Sequence, residues 1–181
     1  MKSLKEWATI ISALETGDQT VLLRKGGILE TASGFKLESE RFFLFPTAEH
    51  QGHANIKEQF QSRLEQVRAS PPKEGHNRIT SYAEVLAESD ISSEEVLEKL
   101  SKFHIWSKTY IDERRRWEEE KPIKALFLRV FRIPERSIPL KPEYQGCKSW
   151  IDINEEILGG EPVLNDAETE SRLKEFREIT G

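Results

Sequence analysis

Apolar residues recur at helical spacing at the start of the chain, at Leu4, Trp7, Ile10, Ile11 and Leu14, and Gly17 supplies a stop. Residues 19–24 then read as a leucine-rich, β-branched strand, the Gly26-Gly27 pair as a turn, and Ile28-Leu29 as renewed extended structure. The dense run Phe42-Phe43-Leu44-Phe45 predicts a buried strand stopped by Pro46. The spacing of Ile56, Phe60, Leu64 and Val67 predicts a helix. Ser70-Pro71-Pro72-Lys73-Glu74-Gly75 is a loop, and residues 79–86 alternate as a half-buried strand does. Ser92, with Glu95 three residues later, reads as a capping box that opens a helix through Val96, Leu97 and Leu100. Residues 103–106 are expected as a short strand. A charged helix with Tyr110, Arg114, Arg115, Arg116 and Trp117 follows, ending at Lys121-Pro122.

The strongest strand pattern covers residues 123–133 and puts Lys124, Leu126, Leu128, Val130 and Arg132 on one face. Pro134, Pro139 and Pro142 predict that the next stretch is extended but unpaired. Residues 149–153 form a last strand. Residues 167–179 form an acidic helix, with Leu173 and Phe176 facing inward. Strands interrupted singly by helices, without regular βα alternation, predict an α+β fold: a small mixed β-barrel wrapped by helices. Its walls should contain residues 19–24, 42–45, 79–86 and 123–133, with Trp7, Ile11, Phe43, Leu126 and Leu128 buried. We expect one domain over residues 1–181, with the acidic helix at 164–179 as a peripheral element.

Composition changes this picture in three ways. Hydrophobic residues make up 36% and charged residues 33% of the 181, a globular mixture too rich in Leu, Ile, Val and Phe for disorder. The formal charge of -5 gives no global attraction to nucleic acid or anionic membrane, so any nucleic-acid reading needs a local basic face. The single cysteine, Cys147, excludes an internal disulfide and fits a reducing compartment. With no signal-like apolar run near Met1 and no stretch long enough to span a bilayer, the expected location is cytoplasmic, with no membrane partner.

Three blocks together resemble the family catalogued as domain of unknown function 1802. They are residues 22–28, residues 44–51, and Leu128-Arg129-Val130-Phe131-Arg132 with the downstream Gly146-Cys147-Lys148-Ser149-Trp150. That resemblance implies no activity. Through relatives joined to a restriction-endonuclease domain, it implies an accessory role in restriction or defence. Residues 17–24 also resemble the motif of the PUA-like superfamily, ASCH branch, which runs Gly-x-Lys-x-x-Glu-x-Arg. Gly17 and Arg24 agree with it, while Gln19 and Leu22 stand in place of the lysine and the glutamate. This second resemblance implies a small barrel that binds RNA or modified bases.

The candidate contact residues are Arg24, Lys25, Gly26, Gly27, Thr47, His50, Gln51 and Arg129. A cationic pair beside a glycine turn offers a guanidinium fork and free backbone N–H groups to a phosphate or base edge, unless it is simply a tight hairpin carrying solvated charges. Pro46, Thr47, Glu49, His50 and Gln51 follow a buried strand, where polar side chains either line a pocket or start a helix capped by Thr47. His50 and His53 lack further ligands in the pattern, so no metal is expected. Arg114–Arg116 beside Tyr110 and Trp117 suit phosphate contact with base stacking. The plainer alternative is a solvated helix with pairs Arg114–Glu118 and Arg116–Glu120. Replacing Arg24 and Lys25 together by alanine should remove most of any specific binding and leave the fold intact.

Enzyme patterns are missing. There is no Gly-x-Ser-x-Gly elbow, Cys147 has no identifiable base, and Gln19 cannot replace a motif lysine as a tunable base. No cofactor and no catalytic residue is expected. The expectation is a non-catalytic module that binds DNA or RNA, modified bases included, with oligomeric state open. The alternatives are a protein-interaction module within a restriction or defence system, and a hydrolase of nucleic acid or modified nucleosides.

Overall fold

The structure, a computed structural model, describes residues 1–26 and 34–181. Its first element departs from the sequence pattern. Lys2–Trp7 is a strand, β1, which passes directly into helix α1 at Ala8–Leu14. Leu4 and Trp7 match a helical spacing, but the pairing partners that decide the matter are distant in sequence. β1 lies parallel to β3 (Arg41–Thr47), with Leu4 beside Leu44, and antiparallel to β6 (Trp150–Asp152), with Leu4 beside Trp150. Buried Ser3 donates its hydroxyl to the Phe43 carbonyl, 3.1 Å away.

The other strands are β2 (Val21–Arg24), β4 (His76–Ile91), β5 (Ile123–Pro139) and β7 (Glu161–Pro162). Among the described residues they form one seven-stranded sheet in the order β2-β5-β4-β3-β1-β6, with β7 paired to β5. β5 continues through two prolines. Between Ile79↔Arg136 and Ser81↔Arg132 the register shifts, so Pro134 sits in a bulge where no ladder N–H is needed, and Pro139 closes the strand opposite His76. Ala125, Leu126, Phe127 and Leu128 are all buried, so this stretch of β5 has no single buried face.

The order is an open path, not a closed barrel. The end strands β2, of four residues, and β6, of three, do not pair with each other among the described residues. Side chains cross the gap instead, as described below.

The run at 42–45 is apolar throughout because both faces of β3 are covered. Phe42 and Leu44 join a cluster with Leu4, Leu22, Leu126 and Phe127. Phe43 and Phe45 join a second with Ile79, Tyr82 and Ile151. Ile11, Phe43, Leu126 and Leu128 are buried as expected, while Trp7 is only half-buried.

Helix α2 is Gln61–Ala69, α3 is Glu94–Lys99, α4 is Lys108–Arg116 and α5 is Asp166–Thr180. The cap of α3 is Ser93, which accepts from Val96 N, and not Ser92. Residues 103–106 are not a strand: a 3₁₀ turn at Leu100–Phe103 leads to a single bridge between Trp106 and Ile56. α5 opens on a capping box between Asn165 and Glu168 and buries Phe176 against Phe127, with ring centroids 5.6 Å apart. Among the described residues no helix is long and apolar enough to cross a membrane.

Candidate functional site

Parallel β1 and β3 end side by side, with Trp7 beside Thr47, and the end of β2 approaches the same place. Arg24 makes that approach. Its Nη1 donates to the Lys5 carbonyl at 3.1 Å and to Glu6 Oε2 at 3.0 Å, and its Nη2 donates to Ser149 Oγ at 2.7 Å. The guanidinium carbon lies 5.3 Å from the centre of the Phe35 ring. Glu6 is only 5% exposed, and its other oxygen accepts from Trp7 N. Thr47 Oγ1 donates to the Glu6 carbonyl, so Thr47 ends a strand and caps no helix. Arg24 therefore joins the two ends of the open sheet, with most of its donors engaged by the protein itself.

Lys25 points inward and is 2% exposed. Its ammonium donates to the Arg115 carbonyl at 2.6 Å, at the negative end of α4. Burial, followed by the nearby Arg114 charge, holds its pKa below the usual lysine value. Arg24 and Lys25 are thus built into the fold, so the double alanine change is expected to cost stability. Gly26 follows with φ +89°, a conformation that favours glycine, while Gly27 lies outside the described residues.

Gln51 is 6% exposed. Its Oε1 accepts from Thr9 N at 3.2 Å and Thr9 Oγ1 at 2.9 Å, which serves the uncapped N-terminus of α1. His50 is exposed with φ 64°, and its carbonyl accepts from Asn55 Nδ2. His53 pairs with Glu65; among the described residues no group of three or more His, Cys, Asp or Glu is placed to hold a metal ion. Arg129 lies past Val21, at the other end of β2 from Arg24, where it pairs with Asp166 and covers the Phe131 ring. The structure thus brings Arg24, Lys25 and Thr47 to one end of the sheet and leaves Arg129 away from it.

What gathers around Arg24 is partly new. The Trp7 and Tyr110 rings lie 5.0 Å apart at 50°, and Trp106 stacks on Tyr110 at 6.2 Å. Burial raises the Tyr110 phenol above its ordinary pKa, with the Arg114, Glu6 and Arg24 charges close by. One helical turn beyond Tyr110, the Arg114 guanidinium lies 5.4 Å over the Trp117 ring, and Trp117 is 37% exposed. Lys5 donates to the Tyr144 and Gly146 carbonyls, both at 2.8 Å, near exposed Lys148. The expected pairs Arg114–Glu118 and Arg116–Glu120 do not form the face, because α4 ends at Arg116. Glu118, at φ 48°, binds Lys121, and Glu119 reaches Arg115.

Glu6, Trp7 and Ser149 escape a reading of the sequence as site residues. A helical pattern over residues 4–14 places Glu6 among ordinary solvated charges, and only the strand reveals it as a buried carboxylate.

A family model described as "Domain of unknown function (DUF1802)" matches residues 3–175. No curated protein matches. Among solved structures, the chain is similar to the crystal structure of ASCH from Zymomonas mobilis, at 16% identity and TM-score 0.46, covering 96% of this chain and 93% of that one. Two point-mutant structures of ZmASCH from Zymomonas mobilis are similar at 13% and 17% identity, with TM-scores of 0.42 and 0.44. Both cover 96% of this chain, and 94% and 96% of their own.

Proposed function

Since this chain belongs to the DUF1802 family, whose description assigns no activity, we propose a function from the geometry: a non-catalytic module that binds single-stranded nucleic acid across the Trp7–Tyr110–Arg114–Trp117 face. The observation that carries this reading is the Trp117 ring, 37% exposed with the Arg114 guanidinium over it, one helical turn beyond the Trp7–Tyr110 pair. Unpaired bases stack on aromatic faces and on arginine planes, each contributing about 1–3 kcal/mol. Lys148 and Arg116, both exposed, are the cations available for phosphate contacts. A modified base is read through the same stacking, and a restriction or defence assembly is the setting that the family resemblance implies.

Binding of labelled single-stranded RNA and DNA, followed by fluorescence anisotropy at low and high salt, tests the reading. Trp117→Ala should weaken binding by about 5- to 160-fold, the range of one lost stack. Arg114→Ala should also weaken it and flatten the salt dependence. Lys174→Ala, at a side chain 79% exposed on α5, should change nothing. No binding at low salt, or equal effects at Trp117 and Lys174, would sink the proposal and favour a protein-interaction module.

A further inference from the structure

A second concavity lies on a different face of α4. Helical geometry puts Lys108, Ile111 and Asp112 on one side and Tyr110, Arg114 and Trp117 on another. The first group, with α3 and the 3₁₀ turn after it, encloses a cavity of about 270 Å³. That volume is near the lower end for small-molecule sites. Leu97 and Ile111 line it with apolar surface, at 3% and 7% exposure. His104 also lines it, is 3% exposed, and among the described residues has no hydrogen-bond partner at either ring nitrogen. Buried polar groups are nearly always satisfied, so such an imidazole needs explaining.

The mouth of the cavity has its own chemistry. Carboxylates of Glu98, Asp112 and Glu94 converge on the single ammonium of Lys108, at 2.8, 3.4 and 3.7 Å. Arg115 reaches Glu94 from the side at 3.3 Å. Lys108 is a flexible side chain, 61% exposed, so it holds this place loosely. Three carboxylates around one replaceable ammonium select for cations and repel anions.

We propose that this cavity binds a small organic cation, a primary amine on an apolar body. The body rests on Leu97 and Ile111, a polar group on it meets the His104 imidazole after a small movement of the wall, and its ammonium takes the position of Lys108 Nζ. Burial, aided by the Lys57 charge, keeps His104 neutral, with a pKa lowered to about 3, so its ring presents one donor and one acceptor. A metal fits less well, since among the described residues no group of three His, Cys, Asp or Glu is placed to hold one.

Calorimetric titration of the full chain with tyramine, tyrosol and 4-hydroxyphenylacetate, whose shared phenol is the polar group for His104, tests this, with NMR of the Ile111 methyl groups and the His104 ring locating the site. The amine should bind saturably and shift both signals, the alcohol should bind at least about 10-fold more weakly, and the acid should not bind. Lys108→Ala should tighten amine binding several-fold by removing the resident cation. The double change Glu98→Gln with Asp112→Asn, at the mouth, should weaken it at least about 10-fold, and Leu97→Trp should fill the cavity. Absence of saturable amine binding, equal affinity for the alcohol, or weaker binding in Lys108→Ala would each overturn the proposal.

Discussion

Arg24 and His104 show how far a residue's role depends on its surroundings. Arg24→Ala removes three donated hydrogen bonds and leaves Glu6, 5% exposed, without its cation. Removing one partner of a buried pair costs about 3–5 kcal/mol, and we expect a loss in that range by urea denaturation. Arg24→Lys should recover only part, since one ammonium cannot reach the Lys5 carbonyl, Glu6 and Ser149 together. A loss below about 1 kcal/mol would mean that the bridge contributes no more than an exposed pair. His104 makes stability depend on pH. An unfolded imidazole protonates near 6.5, whereas the folded one resists until about 3. Its contribution is therefore complete above about pH 6.5 and is lost as the pH falls toward 3, by about 1.4 kcal/mol per unit. Unfolding free energies from urea titration should fall by about 2 kcal/mol between pH 7 and 5, and His104→Phe should flatten that slope. An unchanged slope in the variant would assign the effect to other groups.

At the scale of elements, α1 illustrates a helix that its own residues do not cap. Trp7 precedes it without a side-chain cap, and the amide of Thr9 is served by Gln51, 42 residues away. Gln51→Ala strands that buried donor, and we expect a cost of about 1–3 kcal/mol. Gln51→Glu should keep the acceptor and restore most of the stability, whereas equal losses in both variants would point to packing alone. Urea denaturation separates these outcomes. Local signals elsewhere were sufficient. The spacing of α5 is legible because it involves residues within one or two turns, while the cap read at Ser92 falls one residue short of the observed Ser93. Pro134 misleads for the opposite reason. The proline argues against pairing, and only the partner strand provides the bulge that accommodates it.

At the scale of the molecule, the net charge of -5 means that any nucleic acid must be held by a local surface. Most cations near the site are already committed, Arg24 to Glu6 and Ser149 and Lys25 to a helix end. Few phosphates are then neutralised. The log–log salt slope should be shallow, roughly -0.7 to -2 for one to three contacts on a single strand. A steeper slope would shift the binding surface to cations away from the aromatic run.

Apolar density at 42–45, alternation at 123–133 and helical spacing in α5 were enough to mark those elements and the α+β class, because those signals come from neighbours in sequence. The resemblance in residues 22–28 and 44–51 pointed to the family whose model matches residues 3–175. Pairing and burial decided the rest. Residues 2–7 are a strand because β3 and β6 lie on either side of them, and the sheet is open because its end strands β2 and β6 do not pair among the described residues. Arg24, Lys25 and Gln51 read as free polar groups until the fold surrounds them with a carboxylate, a helix end and an uncapped amide. A linear pattern records which residues are polar, but whether each faces solvent or a buried partner depends on contacts made across 18 to 125 residues of chain.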